Sequence, residues 1–166
     1  MPVGLEQEGK GMIRKAVVNT AWLLLLIAVS GLVYIRLAPD DVAQVHVTPP
    51  TGATPDAPVI GTGAALFVAD FNMRPPQMWQ MVQQVILSTP RTKYLAGSAE
   101  EGMITYVTRS LVFGFPDYTT VTVTQNEQGS RVTLFGRLRY GRSDFGVNAK
   151  RLRSWVKALK TLDQAG

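Results

Sequence analysis

Residues 16–35 form a run of twenty without a single charge. As a helix rising about 1.5 Å per residue, such a run covers roughly 30 Å, the thickness of a bilayer's hydrocarbon core. Trp22 and Tyr34 lie toward its opposite ends, where interfacial aromatics are found. A cleaved signal peptide would have a shorter apolar region ending in a small-x-small site, which residues 33–41 lack, so an uncleaved transmembrane helix over residues 16–36 is expected. Lys10, Arg14 and Lys15 precede the run, and only Arg36 follows it before Asp40 and Asp41. By the positive-inside rule, residues 1–15 form a cytoplasmic tail, and the chain beyond the span is periplasmic, on the outer side of an inner (cytoplasmic) membrane crossed once.

The rest of the 166 residues amounts to about one domain. The chain has no cysteine, which removes disulfides, thiolate metal ligands, a cysteine nucleophile and a lipid-acceptor cysteine. Residues 37–62 are rich in Pro, Gly and Thr and read as a flexible linker of about 25 to 30 Å end to end. The only histidine, His46, falls there, as a surface or local packing residue. A histidine metal site or a Ser/His pair inside the domain is therefore not expected, and neither a metal nor a cofactor is implied.

Residues 63–166 carry the domain. Residues 66–69 are a short apolar run suited to an edge strand. Pro75 and Pro76 open a helix, along which Trp79, Val82, Val85 and Ile86 recur at helical spacing. Four extended stretches follow, at 93–97, 103–113, 118–125 and 131–140, separated by turn-like segments. In the third, Val121 and Val123 alternate with Thr120, Thr122 and Thr124; in the fourth, Val132, Leu134, Leu138 and Tyr140 alternate with Arg131, Thr133, Phe135, Arg137 and Arg139. One sheet face is thus packed and the other polar or ligand-facing. A last helix begins at Val147 or Asn148 and runs to Leu162, with Leu152, Trp155, Val156, Leu159 and Leu162 on one side and Lys150, Arg153, Lys157 and Lys160 opposite. The fold class is α+β: an antiparallel β-meander sheet packed by an N-terminal and a C-terminal helix, preceded by one transmembrane helix.

The run Gly-Arg-Ser-Asp-Phe-Gly-Val-Asn at 141–148, followed by Arg151 and preceded by Thr-Pro-Arg-Thr at 89–92 and Arg-Ser-Leu-Val-Phe-Gly-Phe-Pro-Asp at 109–117, resembles a bacterial family, domain of unknown function 1499. The resemblance covers roughly residues 79–159. It implies a membrane-associated or exported protein without an established activity. Members often carry an Arg-Ser-x-Ser-Arg strand before the Gly-Arg-Ser-Asp run, whereas this chain reads Arg137-Leu138-Arg139, which puts any role for hydroxyls there in doubt.

Between Arg137 and Lys160 there are eight Lys or Arg and one acid, Asp144, within a net charge of +5. With the domain outside the cytoplasm, nucleic acid is not an expected partner; the inner membrane, an anionic lipid or a membrane protein complex is. Gly141 and Gly146 permit a tight, shaped connection into the last helix, which Asp144 or Asn148 can cap. Arg142, Lys150 and Arg151 crowd that helix N-terminus, where the macrodipole is already positive, so an anion is required nearby. Either Asp144 and Asp117 neutralise the arginines within the fold, or Arg109, Arg137, Arg139, Arg142, Asp144, Asn148 and Arg151 form a site for a phosphate or carboxylate. Lys150, Arg153, Lys157 and Lys160 are either a solvated face or a surface for anionic lipid headgroups. The expectation for function is a non-enzymatic, membrane-tethered binding module for an anionic small molecule, lipid headgroup or envelope component. The alternatives are an accessory subunit of an inner-membrane complex, and an enzyme using Arg109, Arg139, Asp117 and Asp144 on a phosphorylated or carboxylated substrate.

Overall fold

In the computed structural model, which describes residues 3–165, the chain divides into two units, Met1–Ala38 and Pro39–Gly166. The first is one helix, α1 (Val3–Leu37), of which Lys10–Leu37 is long and apolar enough to cross a membrane. Leu23, Leu24, Leu25 and Leu26 all stand exposed. Four successive positions take up most of a helix's circumference, so the helix is apolar on every side, as a lipid-facing segment is.

The second unit contains α2 (Val42–Val45), β1 (Val59–Ile60), β2 (Ala64–Phe71), α3 (Pro75–Leu87), β3 (Thr92–Ser98), β4 (Met103–Arg109), β5 (Pro116–Gln125), β6 (Ser130–Leu138) and α4 (Val147–Ala165). The six strands make one antiparallel sheet in the order β1-β2-β6-β5-β4-β3. The meander of four strands is β3 to β6, and α3 carries the chain from β2 to the far edge. Helices α3 and α4 cover one face, burying Met78, Trp79, Val82 and Ile86 of α3 and Leu152, Trp155 and Leu159 of α4 against Phe67, Phe71, Ile104, Val121, Val132 and Leu134. Two polar links fasten the helices: Trp155 donates its indole N–H to Thr89 Oγ1 at 2.8 Å, and Asp163 accepts the Asn72 and Met73 amides at 3.1 Å.

Three expectations need correction. The edge strand expected over 66–69 is longer: β2 pairs with β6 over eight residues and buries Ala65, Phe67, Ala69 and Phe71 against the helices, while the two-residue β1 covers its outer side only at Ala65 and Leu66. The strand expected over 103–113 stops at Arg109, where Ser110 N–H donates to the Phe115 carbonyl at 2.9 Å and closes a loop. Most consequential is the segment 37–62, read as a free linker. Asp41 caps α2, Asp40 is only 13% exposed at its side chain, and residues 48–53 line a cavity of about 240 Å³ with Val68, Thr122, Arg131 and Thr133 of the sheet. Residues 40–53 are a strap across the polar face, and their prolines and glycine shape an ordered course instead of supplying slack.

Candidate functional site

The strap explains how threonines and arginines come to be buried on the face opposite the helices. Thr105 and Thr120 are fully buried and share a hydrogen bond of 3.0 Å. His46 Nδ1 lies 2.9 Å from Thr105 Oγ1 and makes a packing contact with the sheet. Arg137 donates to Thr120 Oγ1 at 3.2 Å and to the Val45 carbonyl, and its guanidinium lies over the Phe135 ring. Burial pushes the Arg137 pKa below its usual range.

At one end of that face Arg109 and Arg139 do converge on a carboxylate, and it belongs to Asp40. Arg139 donates to Asp40 at 2.9 Å and to the Pro39 carbonyl at 3.0 Å, while Arg109 reaches Asp40 at 3.3 Å and the Gly114 carbonyl at 3.2 Å. The Tyr118 hydroxyl donates to the same carboxylate at 2.6 Å. Burial, then the adjoining Asp40, pushes the Tyr118 phenol well above its usual range. Asp40 was not among the expected site residues. Its only sequence signal was an acid at the end of a basic-poor flank, read there as topology.

The second constellation lies on the helix side. Arg151 donates to Asp117 at 2.9 Å and to Asn148 Oδ1 at 3.1 Å, with the side chains of Arg151 and Asp117 12% and 16% exposed. Burial raises the Asp117 pKa, and Arg151 only partly offsets it. Behind the pair, Asn148 Nδ2, Thr119 Oγ1 and Tyr106 Oη are buried without a hydrogen-bond partner among the described residues. Among the described residues Asp144 takes no guanidinium. It accepts the Gly146 and Asn148 amides at 3.0 and 2.8 Å and so caps α4; against its burial, those amides hold its pKa below the usual carboxylate range. The expected residues thus fall into two groups on opposite faces of the sheet. Arg142 lies apart from both in an exposed loop, and Lys150, Arg153, Lys157 and Lys160 form an exposed face of α4.

Between these groups, at the same end of the sheet, opens a cleft of about 640 Å³. Phe113, Phe115, Leu138, Tyr140, Phe145 and Val147 form its walls, and Asp117, with Arg151 behind it, lies in its lining. The Phe113, Phe115 and Tyr140 rings follow one another at centroid distances of 5.7 and 6.2 Å. Ser110 and Ser143, also in the lining, accept the Phe115 and Phe145 amides and hold the two loops in shape. Leu111, Val112, Phe113, Phe145 and Val147 signalled this cleft in the sequence, but they read there as the end of a strand and as the connection into the last helix.

An antiparallel sheet with helices on one face and a strap on the other, closed at one end by paired arginines and carboxylates, defines a small α+β domain class carried behind an apolar helix. The family model for a protein of unknown function (DUF1499) matches residues 40–159, and the chain belongs to that family. The match begins at Asp40, the residue on which the arginines converge. No curated protein matches. Among solved structures the chain is similar to an uncharacterised protein from Rhizobium leguminosarum, at 8% identity and a TM-score of 0.49 over 64% of this chain and 97% of that one. A protein from Mesorhizobium loti gives 11% identity and a TM-score of 0.47 over 62% and 98%.

Proposed function

We propose that this protein is a non-enzymatic binding module, held at the inner membrane by α1 with its domain in the periplasm, that takes the apolar portion of an amphipathic envelope component, a lipid above all. The cleft is the observation that supports this reading. Its volume lies within the range of small-molecule sites, and apolar walls with a few fixed polar groups at one side suit a ligand that is greasy along most of its length. The anion-site reading has less support, because Asp40 and Asp117 are themselves the anions that face Arg109, Arg139 and Arg151.

Two experiments test it. In native mass spectrometry of the full-length protein from mild detergent, the wild type retains a lipid-mass adduct that Leu138→Asp loses by about tenfold or more, since a carboxylate set against apolar walls forfeits its hydration. Equal adduct occupancy in the two proteins, both melting cooperatively, overturns the reading. For the anchor, a reporter active only in the periplasm is expected to work when fused after Gly166 and to fail at the N-terminus, and the protein stays in the membrane through a carbonate wash. The opposite fusion pattern overturns the orientation.

A further inference from the structure

We infer that the β4–β5 loop (110–115) and the β6–α4 loop (139–146) enter the headgroup region of the bilayer as a second membrane contact, apart from the span. Leu111 and Phe145 are 72% and 95% exposed, with Val112, Phe113 and Val147 exposed beside them. Both loops line one cleft, and the Phe113–Phe115–Tyr140 rings join them, so this is a single contiguous patch. Its tip is held outward at a cost. Phe145 has φ 52°, a left-handed conformation that bulky residues rarely adopt, between Asp144, which grips two amides, and Gly146 at φ 77°. Arg91, Arg142 and Lys150 are exposed at the same end of the domain; Arg91 is fixed there by its carbonyl, which accepts the Arg109 amide, and by its guanidinium, which donates to the Arg109 carbonyl. Aromatic and aliphatic tips ringed by cations match the composition of a surface that sits among anionic headgroups.

Chain length selects a bilayer over another protein as the occupant. Both loops depart from the residues that hold Asp40: one follows Arg109 directly, and the other begins at Arg139. Only Ala38 and Pro39 separate Asp40 from Leu37, the last residue of the helix able to span a membrane. Three Cα steps reach at most about 11 Å, so the covalent chain ties Asp40, the carboxylate both arginines hold, to within that reach of Leu37. The inference rests on the anchoring in the proposed function and not on what the cleft holds.

The chain lacks cysteine, so a single introduced thiol is a unique attachment point for a fluorescent probe. Full-length Leu111→Cys, Phe145→Cys and Glu127→Cys are labelled and reconstituted sparsely into phosphatidylcholine–phosphatidylglycerol vesicles containing nitroxide-bearing phospholipid; Glu127 lies in the β5–β6 turn at the sheet's other end. Quenching at positions 111 and 145 is expected to exceed that at 127 by at least about threefold, a ratio that holds on further dilution of protein in lipid. Equal quenching at all three positions overturns the inference. So does protection at 111 and 145 that disappears on dilution, which would assign the patch to a second copy, or protection from lipid and aqueous quenchers alike, which would assign it to a protein partner. A protein retained through carbonate but unquenched at 111 and 145 refutes this contact alone; one released by carbonate refutes the anchor as well.

Discussion

Replacing Asp40 by alanine is expected to lower the melting temperature of the full-length protein in mild detergent by on the order of 10 °C, whereas Asp41→Ala one residue away shifts it by a few degrees at most. Asp40 accepts the Tyr118 hydroxyl and both Arg109 and Arg139, and its side chain is 13% exposed. Its loss leaves two largely covered guanidinium groups without their carboxylate, and breaking a buried pair from one side costs about 3 kcal/mol or more. For a domain of this size that converts to roughly 10 °C. Asp41, by contrast, caps a helix of four residues on an exposed segment, worth about 1 kcal/mol. The Asp40 substitution also frees the start of the strap, so amide exchange is expected to accelerate over residues 39–46 while β5 and β6 keep their protection. Indistinguishable melting of the two variants would show that Asp40 does not organise this end of the sheet.

Arg151→Ala should destabilise the domain by about 3 kcal/mol at neutral pH, again on the order of 10 °C, while Arg153→Ala has little effect. Arg151 is tied to Asp117 and Asn148 with its side chain 12% exposed, whereas Arg153 is exposed with its guanidinium 5.8 Å from the Phe67 ring centroid. The pH dependence separates a lost ion pair from lost packing. Burial already raises the folded-state pKa of Asp117, so its contribution to stability is fully present below the unfolded pKa and fades as pH rises through the folded value. Removing Arg151 takes away the group that opposes that shift, raising the folded pKa further and letting the orphaned carboxyl accept a proton in mild acid. The gap between wild type and Arg151→Ala is therefore expected to be widest near about pH 7 and to narrow toward about pH 4. Melting curves at the two pH values measure it, and a gap independent of pH would mean that Arg151 contributes through packing alone.

Much of the architecture was legible because it rests on local periodicity. The helical spacing of Trp79, Val82 and Ile86, and the alternation through β5 and β6, are imposed by burying one side of each element against a common core, and the structure buries those residues. Arg151 was legible for a related local reason: crowded with Arg142 and Lys150 at the N-terminus of the last helix, it required an anion nearby, and Asp117 supplies it. Asp40 was not. Its partners lie 69 to 99 residues away along the chain, and no local pattern announces a contact of that range. Nor does proline and glycine content distinguish slack chain from a strap whose backbone is extended and ordered by the sheet beneath it.

By itself, then, the sequence determined an apolar N-terminal helix long enough to cross a membrane, a meander of four strands with two amphipathic helices, a cap for the last helix from Asp144 or Asn148, which the structure gives to Asp144, and the membership of a family, since each depends on residues near one another in the chain. Tertiary structure alone decided that the arginines divide between two faces of the sheet, that Asp40 and Asp117 are the carboxylates facing Arg109, Arg139 and Arg151, and that the space at the end of the sheet is walled by Phe113, Phe115, Tyr140 and Phe145. The physical reason is register. Which side chains meet across β4, β5 and β6 is fixed by pairing over long stretches of chain, and a shift of one residue would have turned each of these groups to the opposite face.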